Sequence, residues 1–221
     1  MGGLSAPFNA NTLSYTASVS NGTGTLTFTP ALSSGVASVT VNGGSAATPV
    51  TLTVGSSNVV NITVTAQDGT PKTYTVTVTR RTVFQDWALA NAVSSNPGVN
   101  GATGTMNVQN FAFGLNPNRG ATGALGFNGT FGAGGTIGAA GLPILRAEGT
   151  DRRALFVRRK DYANAGLTYT VLFSGNLSGW QNSTDTPAVL ADDGTNQIVS
   201  VPYPTGLGPN GFFRVRITLA P

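Results

Sequence analysis

Side chains able to do chemistry are sparse in this sequence and fall into three groups. Glu148 with Asp151, and Asp192 with Asp193, are the kind of carboxylate pairs that acid/base cleavage of a glycosidic bond needs, one member protonated and the other ionised. Arg152, Arg153, Arg158, Arg159 and Lys160 form the densest basic run, matched in charge to phosphates or an acidic polysaccharide. Trp87, Trp180 and Tyr203 offer aromatic faces of the sort that stack on sugar rings. The chain contains no Cys and no His, which removes thiol nucleophiles, disulfides, imidazole bases and the usual ligands of zinc, copper and haem.

Each group also has a structural reading. Asp192 and Asp193 precede Gly194 and read as a hairpin turn, while Glu148 and Asp151 lie beside arginines, which hold carboxylates ionised rather than raising their pKa. No Walker loop or nucleophile elbow interrupts the pattern. On strands the alternation sends the basic side chains to solvent, where they block edge pairing and find Glu148, Asp151 and Asp161 as partners. Trp87 falls in a helical pattern and reads as core, whereas Trp180, after the Ser178-Gly179 turn, is the better sugar platform, with the cover of a sandwich end as its structural alternative. The candidate ligand contacts are therefore Trp180, Arg158, Arg159 and Lys160, and no catalytic, cofactor-binding or metal-binding residue is assigned. Asn-x-Ser/Thr triplets at Asn21, Asn61, Asn128 and Asn182 arise readily in a chain this rich in Asn and Thr.

The elements that carry these residues are strands. Charged residues are only 9% of the chain and Gly numbers 30, a composition suited to pleated strands joined by tight turns. At 221 residues two modules are expected, residues 1–81 and 82–221. In the first, Leu13, Tyr15, Ala17 and Val19 alternate with polar residues. The same period picks out Leu26 and Phe28, Val39 and Val41, Val50 to Val54, Val60 to Ala66, and Tyr74 to Val78. Six strands follow, and Asn21-Gly22, Asn42-Gly43 and Asp68-Gly69 between them predict sequential antiparallel hairpins in an immunoglobulin-sized β-sandwich.

The second module starts with helical spacing at Phe84, Trp87, Ala88 and Ala92, stopped by Asn96-Pro97-Gly98, and a second short helix is expected over Val108 to Phe113. Residues 98–141 are rich in Gly, Ala, Thr and Asn. Leu125, Phe127, Phe131 and Ile137 within them favour an ordered excursion or short strands over a linker. Period two then returns at Leu155 and Val157, Leu167 to Phe173, Ile198 to Val201, and Phe213 to Leu219, which predicts a second sandwich.

Two resemblances come from these segments. Asn11-Thr12-Leu13-Ser14-Tyr15-Thr16, Val39-Thr40-Val41-Asn42-Gly43 and the run from Ala66 to Arg80 (AQDGTPKTYTVTVTR) resemble the cadherin-like β-sandwich module of bacterial surface proteins. That likeness implies a spacer or adhesive element of an extracellular chain, without the acidic calcium linkers of true cadherins. Phe84-Gln85-Asp86-Trp87-Ala88, the run from Asn110 to Pro117, Arg158 to Asp161, Leu167 to Val171 and Phe212 to Ile217 are similar to a C-terminal module of large secreted proteins from environmental bacteria. In that family two helices flank an acidic loop resembling a dockerin or thrombospondin calcium loop. Residues 96–107 here hold no Asp or Glu, so calcium is not carried over.

The sequence thus reads as a mostly all-β, non-enzymatic structural or adhesive module, secreted or on the cell surface, that assembles through β edges into a surface array or fibre. Its expected partners are copies of itself or neighbouring domains. A carbohydrate-binding accessory module that takes a polysaccharide is the alternative. Neither nucleic acid nor membrane insertion is expected: the net charge of +4 reflects few acids, 8 against 12 bases, and no apolar span of about 20 residues occurs. Met1-Gly2-Gly3 runs into the first strand without signal-peptide character, as in a mature fragment.

Overall fold

The alternation of the first 81 residues becomes seven strands: β1 (Ser14–Val19), β2 (Thr25–Leu26), β3 (Ser38–Val41), β4 (Gly44–Ser45), β5 (Val50–Thr51), β6 (Ser57–Thr65) and β7 (Pro71–Arg80). They are seen in a computed structural model that describes residues 3–102, 104–119, 123–208 and 211–220. Thr103 and residues 120–122 of the Gly-rich stretch lie outside the described residues. The chain separates into two units, Met1–Asp86 and Trp87–Pro221.

In the first unit β1-β7-β6-β3-β4 form one sheet and β2-β5 a second, small one. Tyr15, Val19, Val41, Leu52, Val60, Tyr74, Val76 and Val78 are buried between them, with Leu26, Phe28 and Val50 packed alongside. Burying each of these aliphatic side chains contributes about 1.5–3 kcal/mol, which offsets the backbone entropy of the short strands.

Two sequence expectations fail here. β1 does not pair with its successor but lies parallel to β7, from Ser14 opposite Thr75 to Val19 opposite Arg80, and β2 pairs with β5. A period of two determines which face is buried, and an amphipathic strand buries that face beside any neighbour. Asn21-Gly22 is accordingly no hairpin turn; it carries the chain from one layer to the other. The Asn42-Gly43 turn does close a hairpin, β3–β4, with φ of 49° and 77° at the two residues. Gly69, at φ 85°, serves β6–β7 in the same way, with the Asp68 carboxylate accepting from Thr70 N–H at 2.9 Å. The pair Gly44–Ser45 makes a seventh strand where six were expected.

Helix α1 (Val83–Ala90) begins with a capping box. Gln85 N–H donates to Thr82 Oγ1 at 3.2 Å, and Thr82 N–H donates to Gln85 Oε1 at 2.9 Å. It ends earlier than Asn96-Pro97-Gly98, because Ala92 adopts φ 54° and the Ala92 and Val93 N–H groups turn back to the Leu89 and Ala88 carbonyls, at 3.1 and 3.0 Å.

The second unit holds helix α2 (Asn107–Ala112) and strands β8 (Gly126–Thr130), β9 (Gly134–Ala139), β10 (Ile144–Glu148), β11 (Asp151–Arg159), β12 (Leu167–Ser174), β13 (Gln181–Asn182), β14 (Ala188–Asp192), β15 (Asn196–Pro202) and β16 (Phe212–Leu219). The sheets are β10-β11-β15-β14, β13-β12-β16 and the hairpin β8-β9, with antiparallel pairing throughout the named strands. Ala154 and Phe156 face one core with Val171, Phe173, Val199 and Val201, while Leu155 and Val157 face another with Phe127, Leu190 and Ile198. The first sheet is therefore covered on both sides, and the second unit has three layers rather than two. The uninterrupted run Ala154-Leu155-Phe156-Val157 is what burial on both faces requires. The glycines of the β8–β9 hairpin allow its two backbones to approach closely: a Cβ on Gly129 would stand 2.2 Å from the Gly134 carbonyl oxygen, and one on Gly135 2.2 Å from that of Asn128.

Candidate functional site

Alternation separates the basic run residue by residue, and each member has its own neighbours. Arg153 pairs with Asp151 at 2.8 Å and lies over the Phe131 ring at 5.0 Å. Arg152 lies over Tyr203 at 4.6 Å and donates to the Gly208 carbonyl. Arg159 grips both oxygens of Asp161, at 2.8 and 2.9 Å, above the Phe111 ring. Arg158 donates to Gln197 Oε1 at 2.7 Å and stacks on Tyr162. Lys160 reaches Asp192 at 3.0 Å. Five cations thus fasten five places, and among the described residues Trp180 has Arg214 and Leu177 as its neighbours rather than Arg158, Arg159 or Lys160.

The carboxylate pairs are held by their surroundings as well. Asp192 is lowered to about 2 by hydrogen bonds from the Gln197 side chain, the Gly194 N–H and Lys160. Asp193 is lowered by the Asn196 and Thr195 N–H groups, as the β14–β15 turn needs. Carboxylates held ionised in this way accept hydrogen bonds but have no proton to donate near neutrality. Glu148 accepts from Phe131 N–H at 2.9 Å and pairs with Arg146 at 3.0 Å. Arg146, which sequence reasoning did not single out, also donates to the Phe127 and Gly129 carbonyls at 3.1 and 2.6 Å, so it staples the β8–β9 hairpin to β10.

Trp180 stands just before β13, its indole N–H donating to the Leu177 carbonyl at 3.0 Å. One face of the ring is occupied by Arg214 of β16, whose guanidinium carbon is 4.4 Å from the ring centre. The loop before it is organised by Asn176 Oδ1, which accepts from the Ser178 and Gly179 N–H groups. That loop presents Leu177 at φ 64° and 58% exposed. Tyr203 is 6% exposed and donates to the Ser174 carbonyl, and Trp87 packs against Phe111 at 5.4 Å between ring centres, so neither aromatic is displayed as a platform. Arg214 and Arg216, two apart on β16, are the exposed cations that the densest-cluster criterion overlooked. Their spacing in Phe212-Phe213-Arg214-Val215-Arg216 was the available signal.

Residues 96–102 and 104–106, ahead of α2, are tied together by backbone hydrogen bonds and by asparagines. Gly101 N–H donates to the Thr105 carbonyl and Ala102 N–H to that of Pro117, both at 2.9 Å. Buried Asn110 and Asn107 donate to the Thr105 and Ser94 carbonyls at 3.0 Å. Amide side chains therefore supply the side-chain hydrogen bonds that tie these residues to α2. Among the described residues no group of three or more acidic side chains is placed to hold a metal ion.

No curated protein and no solved structure matches the chain. Residues 3–81, which hold the two packed sheets of the first unit, match a family model described as a cadherin-like beta sandwich domain.

Proposed function

We propose that this chain is a non-enzymatic structural or adhesive module of an extracellular assembly, joined to neighbouring copies or domains through strand edges. The observation that carries the reading is the use made of ionisable groups in the second unit: Glu148, Asp151, Asp161, Asp192 and Asp193 each close a turn, a strand pair or a staple. The match of residues 3–81 supports it, since that family is typically non-catalytic and usually extracellular. Among the described residues no helix is long and apolar enough to cross a membrane. Exposed strand edges present backbone donors and acceptors, and these are the groups by which β modules associate. Sedimentation velocity over a hundredfold concentration range, with electron microscopy of the same samples, tests the self-assembling form. Growth to ordered oligomers is expected, and a monomer at every concentration refutes that form.

A further inference from the structure

Strand β16 is the longer edge of its sheet, with helix α2 packed close to part of it. It pairs with β12 through all eight of its residues, Phe212 to Leu219, and among the described residues no backbone or side-chain hydrogen bond reaches its other side. Its two faces differ. Phe213, Val215 and Ile217 turn inward and pack against the core, whereas Arg214, Arg216 and Thr218 turn outward and are exposed. No carboxylate lies within ion-pairing distance of either arginine among the described residues, although Arg153, Arg159, Arg146 and Lys160 all have one.

From this combination we propose that β16 is a docking edge for an extended strand of another protein in which acidic and apolar residues alternate. An added strand would take the free backbone groups of β16. Its acidic side chains would stand opposite Arg214 and Arg216, where cross-strand ion pairs form, and its apolar ones would extend the Val215 and Ile217 face. The Trp180 ring, already under Arg214, keeps that guanidinium on the outer face. A second copy of this chain does not fit. Antiparallel pairing of β16 with itself sets arginine against arginine, a like-charge cost, and no described strand of this chain carries acids two residues apart. The proposal rests on the reading of the chain as an edge-joining module and names its partner's chemistry.

The test uses the full chain and two labelled peptides of sequence Gly-(Val-Glu)3-Val-Gly and Gly-(Val-Lys)3-Val-Gly, followed by fluorescence anisotropy at low and high salt. The acidic peptide is expected to bind at least tenfold more tightly than the basic one and to weaken with salt. It should slow amide hydrogen exchange in residues 212–219, and the Arg214→Glu/Arg216→Glu double variant should reverse the preference. Far-UV circular dichroism establishes that this variant is folded. Equal binding of both peptides, no binding by a folded chain, or protection elsewhere overturns the proposal. So does retention by polygalacturonate, lost in the double variant, without peptide binding, which would assign the arginines to a carboxylated glycan. Peptide failure with persistent self-assembly sinks the docking edge alone, and selective peptide binding by a strict monomer sinks self-assembly alone.

Discussion

Replacing Arg146 by Met keeps most of the side chain's apolar stem and removes the fork. The wild-type guanidinium makes two hydrogen bonds to carbonyls of β8, at 3.1 and 2.6 Å. It also makes one ion pair with Glu148 and lies over the Phe127 ring at 5.0 Å. Bonds from a charged donor contribute about 1.5–3 kcal/mol each, at the low end here because the freed carbonyls at the hairpin can take water. The ion pair is more than a quarter exposed on both sides and is discounted to about 0.5 kcal/mol, and the ring contact adds about 0.5–1 kcal/mol. These terms overlap, so the expected loss is about 3 kcal/mol, felt locally. Hydrogen exchange read by mass spectrometry should show residues 126–139 opening roughly a hundredfold faster, at about 1.4 kcal/mol per factor of ten. The β11–β15 ladder should exchange nearly as before. Arg146→Lys, which keeps the charge without the fork, should fall between. Unchanged exchange in 126–139, or an equal acceleration in β11 and β15, would refute the staple and its assignment to the hairpin.

Thr82→Ala removes one half of the α1 capping box and should lower stability by about 1 kcal/mol in urea denaturation. Ala92→Gly relieves a left-handed Cβ and should raise it by about 0.5–1 kcal/mol in the same assay. Gly101→Ala drives a Cβ to 2.9 Å from the Pro117 carbonyl oxygen and 3.0 Å from Asn110 Nδ2, so it should destabilise the loop by about 1–3 kcal/mol and shorten its survival in limited proteolysis. Asp192 has a folded pKa depressed to about 2, so its contribution to stability is present above the ordinary carboxylate value of 3.8 and fades as pH falls toward 2. Gln197→Ala, which removes the largest cause, should move the Asp192 titration upward in a carboxyl-detected NMR series.

Strand positions were readable because one face of each strand is apolar and the turns carry residues that accept positive φ. Asn42-Gly43 and Asp68-Gly69 are the instances. Neighbour identity was not readable, since Tyr15 and Val19 bury the same surface beside β7 as they would beside β2. Leu155 and Val157 read as one apolar face of a period-two strand, which missed that Ala154 and Phe156 are buried on the other. Phe127 and Ile137 did signal short strands within residues 126–139, but not that this hairpin covers the face of Leu155 and Val157. Of the candidate contacts, charge density pointed to Arg158, Arg159 and Lys160, which alternation then sends to different partners. The cation beside Trp180 is Arg214, 34 positions later and adjacent only through the β12–β16 and β12–β13 ladders.

The direction of β1 bears on how the first unit would respond to a pull on its ends. Because β1 and β7 run the same way, a pull on the chain entering at Ser14 and leaving at Arg80 acts along both strands in opposite senses. The ladder between them is sheared, and its six paired positions must yield together instead of unzipping from one end. A link in a tether under tension gains resistance to rupture from that arrangement, with no change in its equilibrium stability.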